Sequence, residues 1–383
     1  MKLAVVDESG TVERRVALVP EAVRALTAEG HRVAVEVSAG ARAFFADSDY
    51  AAAGAVVANR IDTLARADVV LRITPPSLTE VGEIPTGATL ITMLHPATSP
   101  ALVSELASRR IDAYGLDLLP RTSRAQPMDA LSSQATATGY AATLTAARHL
   151  PGFFPLLMTA AGTVPPAKVF VLGTGVAGLQ AIATARRLGA VVSAHDVRAA
   201  AREEVASLGA TFVDLGIAAM DGTGGYARAQ SAEFLDRQRE LLTSHLSGMD
   251  VVITTAAVPG RRAPVLVTAE MVAAMRPGSV VVDAAVDSGG NCALSVPGET
   301  SVHGTVTVIG LRNPASLLPR DASTLYARNL TAFLRHLLAE TASGGVTLDD
   351  IVAGTRLTHR GEVVHPLAKQ ALGLAPAVPE EER

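Results

Sequence analysis

The chain alternates between two hydrophobic patterns. Near-continuous Val/Ile/Leu runs occupy residues 2–6, 31–37, 67–73, 88–94 and 111–119, and helical stretches such as 20–30 and 99–110 lie between them. Residues 20–30 carry proline at the start and glycine at the end, as helix termini favour. Buried strands separated by helices predict a parallel sheet covered on both faces.

A second alternation begins at Lys168. VFVLG, AVVSAHD, ATFVDL, VVITTAA, SVVVDAAV and TVTVIG are six candidates for short buried strands. Residues 128–150, rich in Ala, Leu and Thr, precede this block, and 320–341, with apolar residues at helical spacing, follow it. We read an α/β chain of two doubly wound, parallel-sheet (Rossmann-like) domains joined by these two long helices. One domain is expected over 1–131 and completed by 320–383, the other over 132–319. The charged PEEER end is expected to fray.

Composition narrows the function classes. Of 383 residues, 49% are hydrophobic and 18% charged, and the formal net charge is -4, which does not suit nucleic acid or an anionic membrane as partner. A single cysteine, Cys292, excludes an internal disulfide framework and fits a reducing compartment. The N-terminus meets charge before a signal-peptide core could form, and no apolar run approaches a membrane span. A cytoplasmic protein is expected.

VFVLGTGVAGLQ holds Gly173, Gly175 and Gly178 as G-x-G-x-x-G, directly after a strand and opening a helix at Val176 and Ala177. The spacing alone is a weak signal. Its context supplies a tight turn, a backbone bare enough to meet a pyrophosphate, and a helix N-terminus facing the negative charge. Asp196 ends the next strand, where a carboxylate would accept from ribose hydroxyls and repel a 2′-phosphate, so NAD(H) is favoured over NADP(H). Arg198, past Val197, pulls the other way because arginine pairs with phosphate; a solvated helix start is the alternative. The loops carrying Thr255, Ala256 and Ala257, and residues 284–290, follow strands where a doubly wound sheet binds ligands. No nucleophile elbow, metal-ligand cluster or P-loop is evident. Hydride transfer and nucleotide sensing both remain open.

Residues 120–133, PRTSRAQPMDALSS, concentrate polar groups in a connection. Read alone, Asp129 caps the following helix and the rest is turn polarity. However, RRVALVPEAVRAL, VDAAVDSGGNC, RTSRAQPMDALSSQATATGY, MTAAGTVPPAKVFVLGTGVAGLQAIATARRLGA and GTGGYA together resemble the alanine dehydrogenase and transhydrogenase alpha-subunit superfamily. The last three look specific to the soluble NAD(H)-binding component of proton-translocating transhydrogenase.

The resemblance implies direct hydride exchange between NAD(H) here and NADP(H) on a partner. It implies a homodimer, with membrane-spanning and NADP(H)-binding subunits on separate chains that hold this one peripherally at the cytoplasmic face. It further implies that Arg121, Gln126, Asp129 and Ser132 shape the nicotinamide pocket, with Gln126 near the gap to the second nucleotide. Asp129 could fix Arg121 by a charge-assisted pair. Pro127 stands where the resemblance implies serine. Gly225 and Tyr226, in GTGGYA, would form a mobile flap.

The competing branch, alanine dehydrogenase, would use positions Arg15, Arg72, His95 and Asp287. Arg72 replaces the lysine implied there, and a guanidinium does not readily exchange a proton. A non-catalytic NAD-binding regulator is the third reading.

Overall fold

The computed structural model describes residues 1–383 except 11, 217–231, 259, 343–348 and 375–383. These form two compact units, one built from Met1–Gln134 and the chain from Ser316 onward, the other from Ala135–Ala315.

The first unit holds a six-stranded parallel sheet of β1 (Lys2–Val5), β2 (Arg32–Glu36), β3 (Val56–Ala58), β4 (Val69–Leu71), β5 (Thr89–Thr92) and β6 (Asp112–Gly115). Its order, β3-β2-β1-β4-β5-β6, is doubly wound. Alternate residues of each strand serve opposite faces. Leu3, Val5, Val69 and Leu71 enter one core, with Phe333 and Leu334 of the helix Pro319–Ala342. Ala4, Val6 and Val70 enter the other. Burial on both faces explains why these strands read as continuous apolar runs.

The second unit carries an antiparallel ribbon, β7 (Leu157–Thr159) and β8 (Gly162–Val164). Its main sheet comprises β9 (Lys168–Leu172), β10 (Val191–His195), β11 (Thr211–Phe212), β12 (Val251–Thr254), β13 (Val280–Asp283), β14 (Thr300–His303) and β15 (Val306–Gly310). The order is β11-β10-β9-β12-β13-β15-β14, parallel except for β14. Val169 and Val171 face one core, Phe170 and Leu172 the other.

The two long helices are Ala130–His149 and Pro319–Ala342, and the second belongs wholly to the first unit. Three details depart from the sequence pattern. Strand β3 is only three residues long, and β14 is polar and half-exposed, so neither gives an apolar run. The run over 111–119 stays extended only to Gly115. It then turns, because Asp117 folds back to accept from the backbone N–H groups of Leu94 (2.8 Å) and His95 (2.9 Å).

Candidate dinucleotide site

Strand order reverses beside β9, between β10 and β12, and at such a switch point the loops at the strand ends diverge and leave a crevice. The turn after β9 fills this position. Gly173 has φ +86°, a conformation that disfavours side chains, and a Cβ there would lie 2.8 Å from the Ala256 nitrogen. A Cβ on Gly178 would lie 1.9 Å from the Gly173 carbonyl oxygen, so glycine alone lets the helix approach the turn this closely. Gly175 is different: nothing lies within 4 Å of its added Cβ, and this face of the turn is open.

Gly175 is the N-cap of the helix Val176–Arg187 and adds no side-chain hydrogen bond, so the first-turn N–H groups of Val176, Ala177 and Gly178 keep their capacity for an anion. Thr255 closes the other side through its hydroxyl, which donates to the Gly173 carbonyl (2.8 Å). An open backbone face, a helix N-terminus and a close glycine contact are what a pyrophosphate requires. The site fits a dinucleotide.

Asp196 lies just beyond β10. Its Oδ2 accepts from the Thr174 N–H (2.7 Å) and hydroxyl (3.1 Å), and its Oδ1 from the Arg198 N–H (2.9 Å) and Nε (3.1 Å). Burial acts to raise the Asp196 pKa, but the Arg198 charge and these donors outweigh it and hold the carboxyl below its ordinary range. Val197 is half-buried between the two charged residues.

Two further groups, missed in the sequence, position the second loop. Asn291 is fully buried; its Oδ1 accepts from the Ala256 N–H (2.9 Å), and its Nδ2 donates to the carbonyls of Ala256 and Pro264 (both 2.8 Å). Asp283, also fully buried, accepts from the Thr254 and Ser295 hydroxyls and from the N–H groups of Ala285, Asn291 and Cys292. Ala257 beyond them is exposed. The GGNC stretch after β13 was the available signal, but its partners lie up to 35 positions away. Gly225 and Tyr226 fall outside the described residues.

In the first unit, 120–133 forms a short 3-10 helix, Ser123–Met128, pinned by buried Ala125 and Met128. Arg121 and Gln126 are exposed. Pro127, which has no N–H to satisfy, contributes its carbonyl to Asn329 Nδ2 (2.8 Å). Asp129 caps the helix Ala130–His149: its Oδ1 accepts from the Ser132 N–H (2.9 Å) and its Oδ2 from the Ser132 hydroxyl (2.6 Å). Arg124 pairs with Asp350, so the C-terminal segment also steadies this loop. One grouping was not legible beforehand: His336, Glu340 and Asp349 bring potential ligand atoms within 4.8 Å of one another. Asp349 already accepts from His336 (2.7 Å) and lies 3.6 Å from Arg124, which accounts for its charge without a metal.

The two domain models described as Alanine dehydrogenase/PNT match residues 4–138 (N-terminal domain) and 142–366 (C-terminal domain). The chain belongs to this family. It is 46% identical over 377 residues to an NAD(P) transhydrogenase subunit alpha chain of Rhodospirillum rubrum, covering 96% of this chain and 98% of that protein. A transhydrogenase crystal structure from Sinorhizobium meliloti matches with TM-score 0.84 and 43% identity over 96% of this chain and 99% of the other. Alanine dehydrogenase of Halomonas elongata is 30% identical over 383 residues, 98% of this chain and 97% of that protein. The family is one of oxidoreductases.

Both branches of the family are therefore in view, and the residues at the alanine dehydrogenase positions are instructive. Arg15 is buried and its Nε and Nη2 meet both oxygens of Glu13 (2.9 and 2.7 Å), while Nη1 donates to Gln134 (2.7 Å). Arg72 lies 3.5 Å from Glu8 and 2.9 Å from Glu80. Glu8 in turn accepts from the Ile73 and Thr74 N–H groups at the switch point of the first sheet. Burial pushes the Glu8 pKa up, against Arg72 and these donors. Both guanidinium charges are compensated by neighbouring carboxylates. His95 is half-exposed beside Asp117, and Asp287 accepts from the Asn313 N–H (2.7 Å). The expected result is that L-alanine with NAD yields no NADH above a control without enzyme; sustained turnover at a dehydrogenase-like rate, followed at 340 nm, would assign the chain to the other branch.

Proposed function

We propose that this chain is the NAD(H)-binding component of a proton-translocating transhydrogenase. In this role it exchanges hydride directly with NADP(H) held on a partner subunit. The observation that carries the reading is the Rhodospirillum rubrum relative named as a transhydrogenase alpha subunit, aligned over nearly the whole of both chains. The compensated state of Arg15 and Arg72 supports this branch over alanine dehydrogenase.

In this reading Gly173, Gly175, Val176, Ala177 and Gly178 hold the pyrophosphate, and Asp196, Val197 and Arg198 meet the adenosine ribose. Thr255, Ala256 and Ala257, set by Asn291, line the other side. Arg121, Gln126, Asp129 and Ser132 shape the nicotinamide end, where the bound nucleotide supplies the C4 hydride. A carboxamide offers one acceptor and two donors, and an exposed Gln126 can satisfy it from either side. Little acid–base chemistry is needed, because such a transfer depends on position.

No described helix is long and apolar enough to cross a membrane. In this proposal proton movement belongs to membrane-spanning subunits on separate chains, with this one docked peripherally on the cytoplasmic face. A homodimer belongs to the proposal. The ribbon β7–β8 supports it, since it carries exposed Met158 (77% accessible) and Val164, with Leu156 and Phe153 also exposed beside it.

The first test is nucleotide preference. The parental chain should bind NADH more tightly than NADPH, and Asp196→Ala should narrow that gap by removing two acceptors and the charge that repels a 2′-phosphate. Calorimetric titration of both nucleotides reads it, and an unchanged ratio would remove Asp196 from the ribose site.

A further inference from the structure

Arg198 raises a question for any NAD-selective site, because a guanidinium beside the ribose could accept a 2′-phosphate. In this structure it is occupied twice over. Its Nε and Nη2 face Asp196 (3.1 and 3.3 Å), and Nη2 also donates to the Thr174 carbonyl (2.9 Å). The same Nη2 also meets Glu204 Oε2 at 3.3 Å, from the first turn of the helix Ala201–Ser207. Burial acts to lower the Arg198 pKa, but Asp196 and Glu204 outweigh it, and the side chain is only 14% accessible. The three side chains carry one net negative charge. Glu204 itself is 39% accessible and need not touch a nucleotide to act.

We propose that Glu204 is a specificity-determining residue. It holds Arg198 against Asp196 and keeps the ribose end net negative, so that the arginine does not serve as a phosphate ligand. The inference rests on the NAD(H) reading of this site. With Glu204 neutral, the trio has no net charge and the electrostatic hold on Arg198 weakens, so the guanidinium can turn toward an incoming 2′-phosphate. The same change does little for NADH, whose ribose hydroxyl is uncharged.

Full-length Glu204→Gln is titrated with NADH and NADPH at low ionic strength beside the parental chain, Arg198→Ala and the double variant. Glu204→Gln should raise NADPH affinity relative to NADH by about fivefold, the scale of one partly exposed charge pair. The double variant should lose that gain, because Arg198 delivers it. A parental NADH/NADPH ratio in Glu204→Gln overturns the inference, and so does a gain that persists without Arg198. If the parental chain itself shows no NADH preference, the NAD(H) reading falls and this inference falls with it. An intact parental preference with an unresponsive Glu204→Gln defeats the inference alone.

Discussion

Gln126→Ala is expected to slow hydride exchange from NADH to partner-bound NADP+ by about a hundredfold while weakening NADH binding tenfold or less. The reason is a separation of tasks. The adenosine and pyrophosphate are assigned to the turn at Gly173–Gly178 and to Asp196, whereas Gln126 sits exposed on a loop fixed from beneath by Ala125, Met128 and Asn329. Losing one amide hydrogen bond to a partly exposed ligand costs about 0.5–1.5 kcal/mol. Hydride transfer, by contrast, needs the reacting carbons at roughly 3–3.5 Å, and a small misplacement costs on the order of a hundredfold in rate. Single-turnover exchange with an NADP(H)-binding transhydrogenase component, set against direct NADH titration, separates the two. An exchange rate equal to the parental one would return residues 121–132 to the rank of an ordinary connection. So would a loss accounted for wholly by weaker NADH binding.

Gly178→Ala should have a comparably large effect, on binding instead of chemistry. The new methyl carbon would stand 1.9 Å from the Gly173 carbonyl and 3.0 Å from the Thr255 hydroxyl. Neither neighbour is the free end of a flexible chain: the carbonyl belongs to the turn, and the hydroxyl is hydrogen-bonded to that carbonyl. The helix must move off the turn, at a cost of about 1–3 kcal/mol for overpacking, and its first-turn N–H groups leave the position where they meet the pyrophosphate. We expect NADH affinity to fall at least tenfold, with the first unit still folded by circular dichroism and limited proteolysis. Parental NADH affinity in this variant would mean that the turn is not where the nucleotide binds.

The glycine turn was legible because all its determinants are local: strand, turn and helix lie within about twenty residues, and each glycine has a backbone task. The central strands were legible for a similar reason, since burial on both faces leaves continuous apolar runs at β1, β4, β9 and β12. The edge strands were not. Val56–Ala58 is three residues long, and Thr300–His303 is polar and half-exposed. The C-terminal return was visible as a second long helical pattern, and the helix Pro319–Ala342 is part of the first unit.

Charge pairing was the least accessible layer. Arg15 stands where the dehydrogenase branch would use an arginine and Arg72 where it would use a lysine, but that Glu13, Glu8 and Glu80 lie against them was not legible, and Glu8 reaches Thr74 across 66 positions. The supports of the nucleotide loops, Asn291 and Asp283, were hidden in the same way. A polar residue reveals its type in sequence, but its partner only in the fold. Asp129 shows the converse: its capping role was readable from position alone, while any further role toward a nicotinamide is a matter for function.

In the proposed function, hydride passes directly from a nucleotide on this chain to one on its partner. The most direct measurement supplies NADH carrying deuterium at C4 to the full-length chain, mixed with an NADP(H)-binding transhydrogenase component and NADP+ in ordinary water. The NADPH formed is then recovered for mass spectrometry. NADPH that retains the deuterium of one C4 face, formed only when both proteins are present, is the expected result. Absence of NADPH, or NADPH whose label has been replaced from solvent, would contradict it.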